Sequence, residues 1–169
     1  MSAHQDVLCI HPDDPPRSLL GLPRIASTLD DLHFLLDQTP EQANGITFCS
    51  GSLGARRDNN VVEIIRQVMP RIRFVHLRST RQEAGRDAFY EAPHLAGDVD
   101  IVALMTELVR EERRRAALGD RDPIPFRPDH GNKMLTDIGR PSTPGYPAVG
   151  RLRGLAELRG VLTAVEALT

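Results

Sequence analysis

The sequence predicts an α/β fold, a parallel (βα)4 unit that is either a small open sheet or half of a TIM-type (β/α)8 barrel. Two observations carry this expectation. Short apolar runs alternate four times with longer stretches of helical period, and such alternation implies parallel strands joined by right-handed crossovers. Each of the four short runs also delivers a metal-capable side chain at or near its C-terminal end, the edge where parallel α/β folds build their sites. At 169 residues the chain fits one domain, 1–169, whereas a complete barrel of this type needs about 250 residues.

The elements follow in order. Residues 7–10 ("VLCI") predict a buried first strand. Residues 29–36 ("LDDLHFLL") have helical spacing, with Ser27 or Thr28 available as the cap. Residues 45–48 ("GITF") make the second strand. Asp58 is placed to cap a helix over 59–69 that Pro70 ends. Residues 72–77 ("IRFVHL") make a third strand, and a connection over 78–97 follows. In 98–118, Ile101, Leu104, Met105, Leu108 and Val109 form the stripe of an amphipathic helix closed by Gly119. Residues 124–126 make the fourth strand and 148–168 the last helix. The mixed-sign run from Arg110 to Arg115 reads as a solvated helix face.

Composition removes whole classes of function. The formal net charge is -2 and aromatic residues are 4% of the chain, so the basic surplus and stacking residues of a nucleic-acid binder are missing. No apolar run reaches the ~18 residues of a membrane span, and no secretory signal is visible. The two cysteines, Cys9 and Cys49, are therefore expected as free thiols in a reducing, cytoplasmic setting.

The reactive residues gather by position. His11 follows the first strand, Cys49 the second; His76 stands near the end of the third, and Asp129 and His130 come just after the fourth. Four adjacent strands would bring His11, Cys49, His76 and Asp129 to one rim. Two imidazoles, a thiolate and a carboxylate suit a divalent transition metal, Zn²⁺, Fe²⁺ or Mn²⁺, and the sulfur argues against Mg²⁺ or Ca²⁺. Singly, each has a plainer explanation: a hydrogen-bonded histidine, a buried small thiol, an aspartate capping a turn after Pro128. Cys9 shares the His11 side of its strand one layer deeper and reads as packing. "HPDDPP" stiffens the loop behind His11. "CSGSLG" behind Cys49 is either a backbone anion receptor or an ordinary βα turn. Arg78, two residues past His76, pairs either with a substrate carboxylate or with a surface acid. His4, His33 and His94 read as structural.

These segments resemble one family. "HPDDPP", "GLPRIAST", "FCSGS", "HLRST", "GDVD", "RPDHG" and "GYPAVGRLRGLAELRG", in this order, are similar to mannonate dehydratases of hexuronate (glucuronate) catabolism. The resemblance implies a (β/α)8 barrel of the xylose-isomerase-like kind that depends on Fe²⁺ or Mn²⁺ and dehydrates D-mannonate to 2-keto-3-deoxy-D-gluconate. It puts the family's metal ligands on His11, Cys49, His76 and Asp129, and its acid/base pair on His130 and Tyr146. Without it, Tyr146 reads as a loop aromatic between Pro144 and Pro147. Asn132 and Lys133 depart from the polar pair usual after "DHG". The likeness covers the second half of the family's chain, so 1–169 is expected to be a C-terminal half-barrel lacking its N-terminal partner half. Open sheet edges then predict a homo-oligomer or a complementary N-terminal half as partner. A metal-dependent sugar isomerase or epimerase, and a catalytically inactive metal-binding scaffold, are the alternatives.

Overall fold

The computed structural model describes residues 6–169; His4 lies outside them. The predicted parallel sheet is present. Strands β1 (Leu8–Ile10), β2 (Asn44–Cys49), β3 (Ile72–His76) and β6 (Phe126–Arg127) lie in the order β1-β2-β3-β6, each pair parallel. Among the described residues, β1 and β6 each have one unpaired side.

The last strand starts later than the sequence suggests. Pro123 and Pro125 carry no N–H to donate. Pairing therefore begins with the Pro125 carbonyl accepting from Val75 N (2.9 Å) and continues with the Arg127 carbonyl accepting from Leu77 N (2.9 Å). The first strand is not the buried run expected. Leu8 is 82% exposed and Cys9 is also exposed rather than packed, because β1 is an edge strand. Both cysteines are free.

Helices cover one face of the sheet. Helix α1 (Leu29–Gln38) starts at Thr28, whose hydroxyl accepts from Asp31 N while the Asp31 carboxylate accepts from Thr28 N, a full capping box. Helix α3 (Val61–Val68) is capped by Asn60. Asp58, the expected cap, is instead drawn into an ion pair with Arg56. Helix α4 (Ile101–Ala117) buries the predicted stripe, and helix α5 (Ala148–Leu168) packs against it. Ile46, Phe48, Ile72 and Val75 of the sheet meet Leu32, Ile65, Val68, Leu104 and Leu158 in one core.

Two local readings change. The charged run on α4 is not wholly solvated. Glu111 and Arg115 are buried, and Arg115 donates to Glu111 and to the carbonyls of Met69 and Ile72, tying α4 to a 3-10 turn at Met69–Arg71. The connection after β3 has secondary structure of its own. It contains an antiparallel hairpin of β4 (Thr80–Gln82) and β5 (Phe89–Glu91).

Register positions the rim. Cys49 pairs with His76 across β2 and β3, and His76 with Arg127 across β3 and β6. The C-terminal ends of three strands thus coincide, and alternation along each strand turns Cys49 and His76 to the face away from the helices.

Candidate metal centre

Cys49 closes β2 and enters the short helix α2 (Ser50–Gly54). The segment "CSGSLG" is therefore a tightly buried βα turn rather than an open anion cradle. Its hydroxyls are spoken for. Ser50 Oγ donates to the Arg78 carbonyl at 2.6 Å and lies 3.1 Å from the His76 carbonyl, and Ser52 Oγ donates to Cys49 Sγ at 3.1 Å. Gly51 is required by packing, since a Cβ there would lie 2.4 Å from Arg78 Cγ.

One donor atom from each of His11, Cys49 and His76 falls within 4.8 Å of the other two. His11 Nε2 lies 3.1 Å from His76 Nδ1. His11 Nδ1 donates to the Pro12 carbonyl at 2.7 Å, which leaves its Nε2 lone pair directed at His76. The fourth predicted residue, Asp129, sits just beyond this trio. Its Oδ2 is 3.6 Å from His76 Nδ1, and its Oδ1 accepts from Arg127 at 2.9 Å. Donors about 2.0–2.3 Å from one cation stand roughly 3–4 Å from each other; the His11–His76 spacing meets this, while Asp129 lies outside the group of atoms that all fall within 4.8 Å of one another. The chemistry of the set, N, S and O together, fits a divalent transition metal.

Asp129 is held there by strained backbone. Its φ is +63°, in the left-handed region that costs a non-glycine residue energy. The Pro128 carbonyl accepts from His94 Nε2 at 2.9 Å, and the His94 ring packs on Gly154 of α5, where a Cβ would come within 2.3 Å. His94 is buried and hydrogen-bonds the turn that carries Asp129.

Next to the trio runs a hydrogen-bonded line of side chains. His130 Nε2 is 3.2 Å from the Tyr146 hydroxyl, and His130 Nδ1 is 2.8 Å from Glu91 Oε1. Tyr146 is 39% exposed. The Arg151 guanidinium lies 5.2 Å from its ring centroid. Glu91 also accepts from Arg78 Nε at 2.8 Å and from Arg78 Nη2.

Arg78 corrects a sequence reading. It was offered to a substrate carboxylate or a surface acid, but it is 3% exposed and spans two carboxylates of the chain itself, Glu91 and Asp14. Burial opposes the guanidinium's charge, but the hydrogen bonds and charges of Glu91 and Asp14 outweigh it and hold its pKa well above the usual arginine value. Burial likewise pushes the Glu91 pKa up, and hydrogen bonds from His130 and Arg78 more than reverse this, keeping it below the usual carboxylate value. Glu91 is the site residue that sequence reasoning missed. It lies in a three-residue strand of a hairpin with no periodic signal, and nothing local marks it.

Comparison with known proteins identifies the family. Residues 2–169 match the family D-mannonate dehydratase (UxuA). A mannonate dehydratase from Rhizobium meliloti is 52% identical over 165 residues, 96% of this chain and 41% of the relative. One from Brucella canis is 52% identical over 160 residues, 95% of this chain and 39% of the relative. The crystal structure of mannonate dehydratase from Streptococcus suis serotype2 superposes with a TM-score of 0.84 at 32% identity, over 96% of this chain and 44% of that one. A xylose isomerase domain protein from Planctomyces limnophilus superposes with a TM-score of 0.56 at 20% identity, over 82% of this chain and 43% of that one, a likeness of fold. The chain thus spans about two fifths of the length of the curated relatives it matches, and its four parallel βα units are part of a TIM-type barrel. By a match along nearly its whole length, the chain belongs to the D-mannonate dehydratase family.

Proposed function

We propose that this chain carries the metal and acid/base residues of a metal-dependent hydro-lyase that converts D-mannonate to 2-keto-3-deoxy-D-gluconate in hexuronate catabolism. The observation that carries the reading is one rim on which the His11–Cys49–His76 trio, with Asp129 3.6 Å from His76, adjoins a His130–Tyr146 pair 3.2 Å apart. His11, Cys49, His76 and Asp129 would hold Fe²⁺ or Mn²⁺. When bound, the cation would supply Lewis-acid stabilisation of charge on the substrate carboxylate.

The chain's own groups then move protons. The C2 hydrogen of a sugar acid is weakly acidic because its carbon bears the carboxylate. One member of the His130–Tyr146 pair takes that proton, and the other protonates the departing C3 hydroxyl. The C2–H and C3–O bonds break, water leaves, and the enol becomes the 2-keto acid. Asp129 and His130 divide their labour: the first is a ligand, while the second, next in sequence on a turn fixed by Pro128 and His94, is free to carry a proton.

The test separates ligand from acid/base. His130→Ala should abolish formation of 2-keto-3-deoxy acid from D-mannonate while bound Mn²⁺ stays constant. Cys49→Ser should lower bound metal. Loss of metal from His130→Ala would refute the division of roles. Interconversion of aldoses without loss of water would replace the dehydratase reading with an isomerase.

A further inference from the structure

We propose that Glu91 is the positioning residue of His130, accepting Nδ1–H and so presenting the Nε2 lone pair to the Tyr146 hydroxyl. The inference rests on the dehydratase reading for its catalytic consequence, but its structural content stands on three contacts. Glu91 Oε1 lies 2.8 Å from His130 Nδ1, and His130 Nε2 lies 3.2 Å from the Tyr146 hydroxyl. A carboxylate only accepts hydrogen bonds, so the proton of a neutral ring must sit on Nδ1. Tyr146 is then the donor to Nε2.

The third contact makes Glu91 rigid enough for the task. Arg78 Nε donates to both Glu91 oxygens, at 2.8 and 3.1 Å, and Arg78 also binds Asp14. Arg78 is buried against Gly51, Asp14 belongs to the loop after β1, and Glu91 ends the β4–β5 hairpin. One guanidinium therefore joins three separate segments of the rim and fixes the carboxylate that His130 meets. An acid placed only to balance Arg78 would not need an oxygen 2.8 Å from the imidazole Nδ1. The arrangement matches the logic of an acid that holds a catalytic histidine in one tautomer and stabilises it when it gains a proton.

The tautomer is directly observable. The full chain, with diamagnetic Zn²⁺ added, is examined by long-range proton–nitrogen correlation at about two pH units above the ordinary imidazole pKa of ~6.5. The His130 signals are identified by their loss in His130→Gln. The expected wild-type pattern is Nδ1–H, and Glu91→Ala should move the ring toward Nε2–H. A wild-type ring in the Nε2–H form, or an Nδ1–H ring unchanged in Glu91→Ala, overturns the proposal. If Glu91→Ala does not fold, the wild-type pattern alone still decides. In turnover of D-mannonate with Mn²⁺, Glu91→Ala should lower kcat by about 10²- to 10⁴-fold, the share of a positioned acid–base group, with KM and bound Mn²⁺ unchanged. A fall in bound Mn²⁺ with kcat per metal preserved would make Glu91 a structural residue and refute the idea. Should the wild-type chain show no dehydratase turnover, that reading fails while the tautomer result still judges Glu91.

Discussion

Asp129 and Gly150 show how closely the rim is packed around its reactive groups. Asp129 accepts a left-handed φ of +63° to carry its carboxylate toward His76. Gly150, in the first turn of α5, admits the returning loop so closely that an added Cβ would lie 1.9 Å from the Asn132 carbonyl oxygen. Backbone cannot give way as a side-chain tip can. Gly150→Ala should therefore destabilise the fold by about 3 kcal/mol or more, as overpacking of a rigid site does. Gly160, on the same helix, has open space where a Cβ would go. Gly160→Ala should stabilise by roughly 0.5–1 kcal/mol through helix propensity alone. Thermal unfolding of the two variants checks both signs, and equal shifts would deny that the Asn132 contact matters. The ligand-type residues were legible because histidine, cysteine and aspartate at strand ends have few uses in common. Glu91 was not, because a lone glutamate in a loop has many.

At the scale of elements, legibility follows how local the controlling interaction is. The cap of α1 was readable because Thr28 and Asp31 lie within one turn of each other. The last helix starts differently. Its N-cap position is Pro147, which offers no side-chain acceptor, and Asp137 accepts from Val149 N (3.1 Å) and Gly150 N (2.9 Å) from twelve residues upstream. No sequence pattern announces a cap supplied from that distance. The β4–β5 hairpin was missed for a similar reason, each strand being three residues long. Asp137 also makes a pH prediction. Desolvation raises its pKa, but the backbone donors Val149 and Gly150 more than compensate and hold it below the ordinary 3.8. A carboxyl depressed in the folded state stabilises that state above its unfolded pKa, and the contribution is lost as pH falls through the folded value. Asp137→Asn should thus lower Tm at neutral pH. It should also flatten the drop in Tm between about pH 5 and about pH 3 relative to wild type. An unchanged slope would show that the helix start does not depend on the charge.

Among the described residues, the sheet has two free sides and helices over one face. Leu8 on β1 is 82% exposed, and at the other edge a cavity of about 350 Å³ is lined by Met105, Leu108, Val109, Ile124, Phe126 and Leu162. Unpaired strands flanked by apolar surface favour further pairing. A second copy can satisfy both edges at once. A two-fold axis along the barrel axis keeps all strands parallel and sets β6 of each protomer beside β1 of its partner, a closed, self-complementary arrangement of eight strands. The curated relatives are longer chains, of which this chain matches about two fifths. The expected outcome in light scattering is a species of at least twice 18.7 kDa. Charge placed on the β1 edge by Leu8→Lys should shift it toward monomer, because burying an unpaired ammonium against β6 opposes closure. If instead the chain is a monodisperse monomer that associates only with a separately produced N-terminal (βα)4 half, the edges select that half and self-pairing is wrong. A monomer indifferent to both would mean that the two edges are protected by their own shortness, three residues in β1 and two in β6.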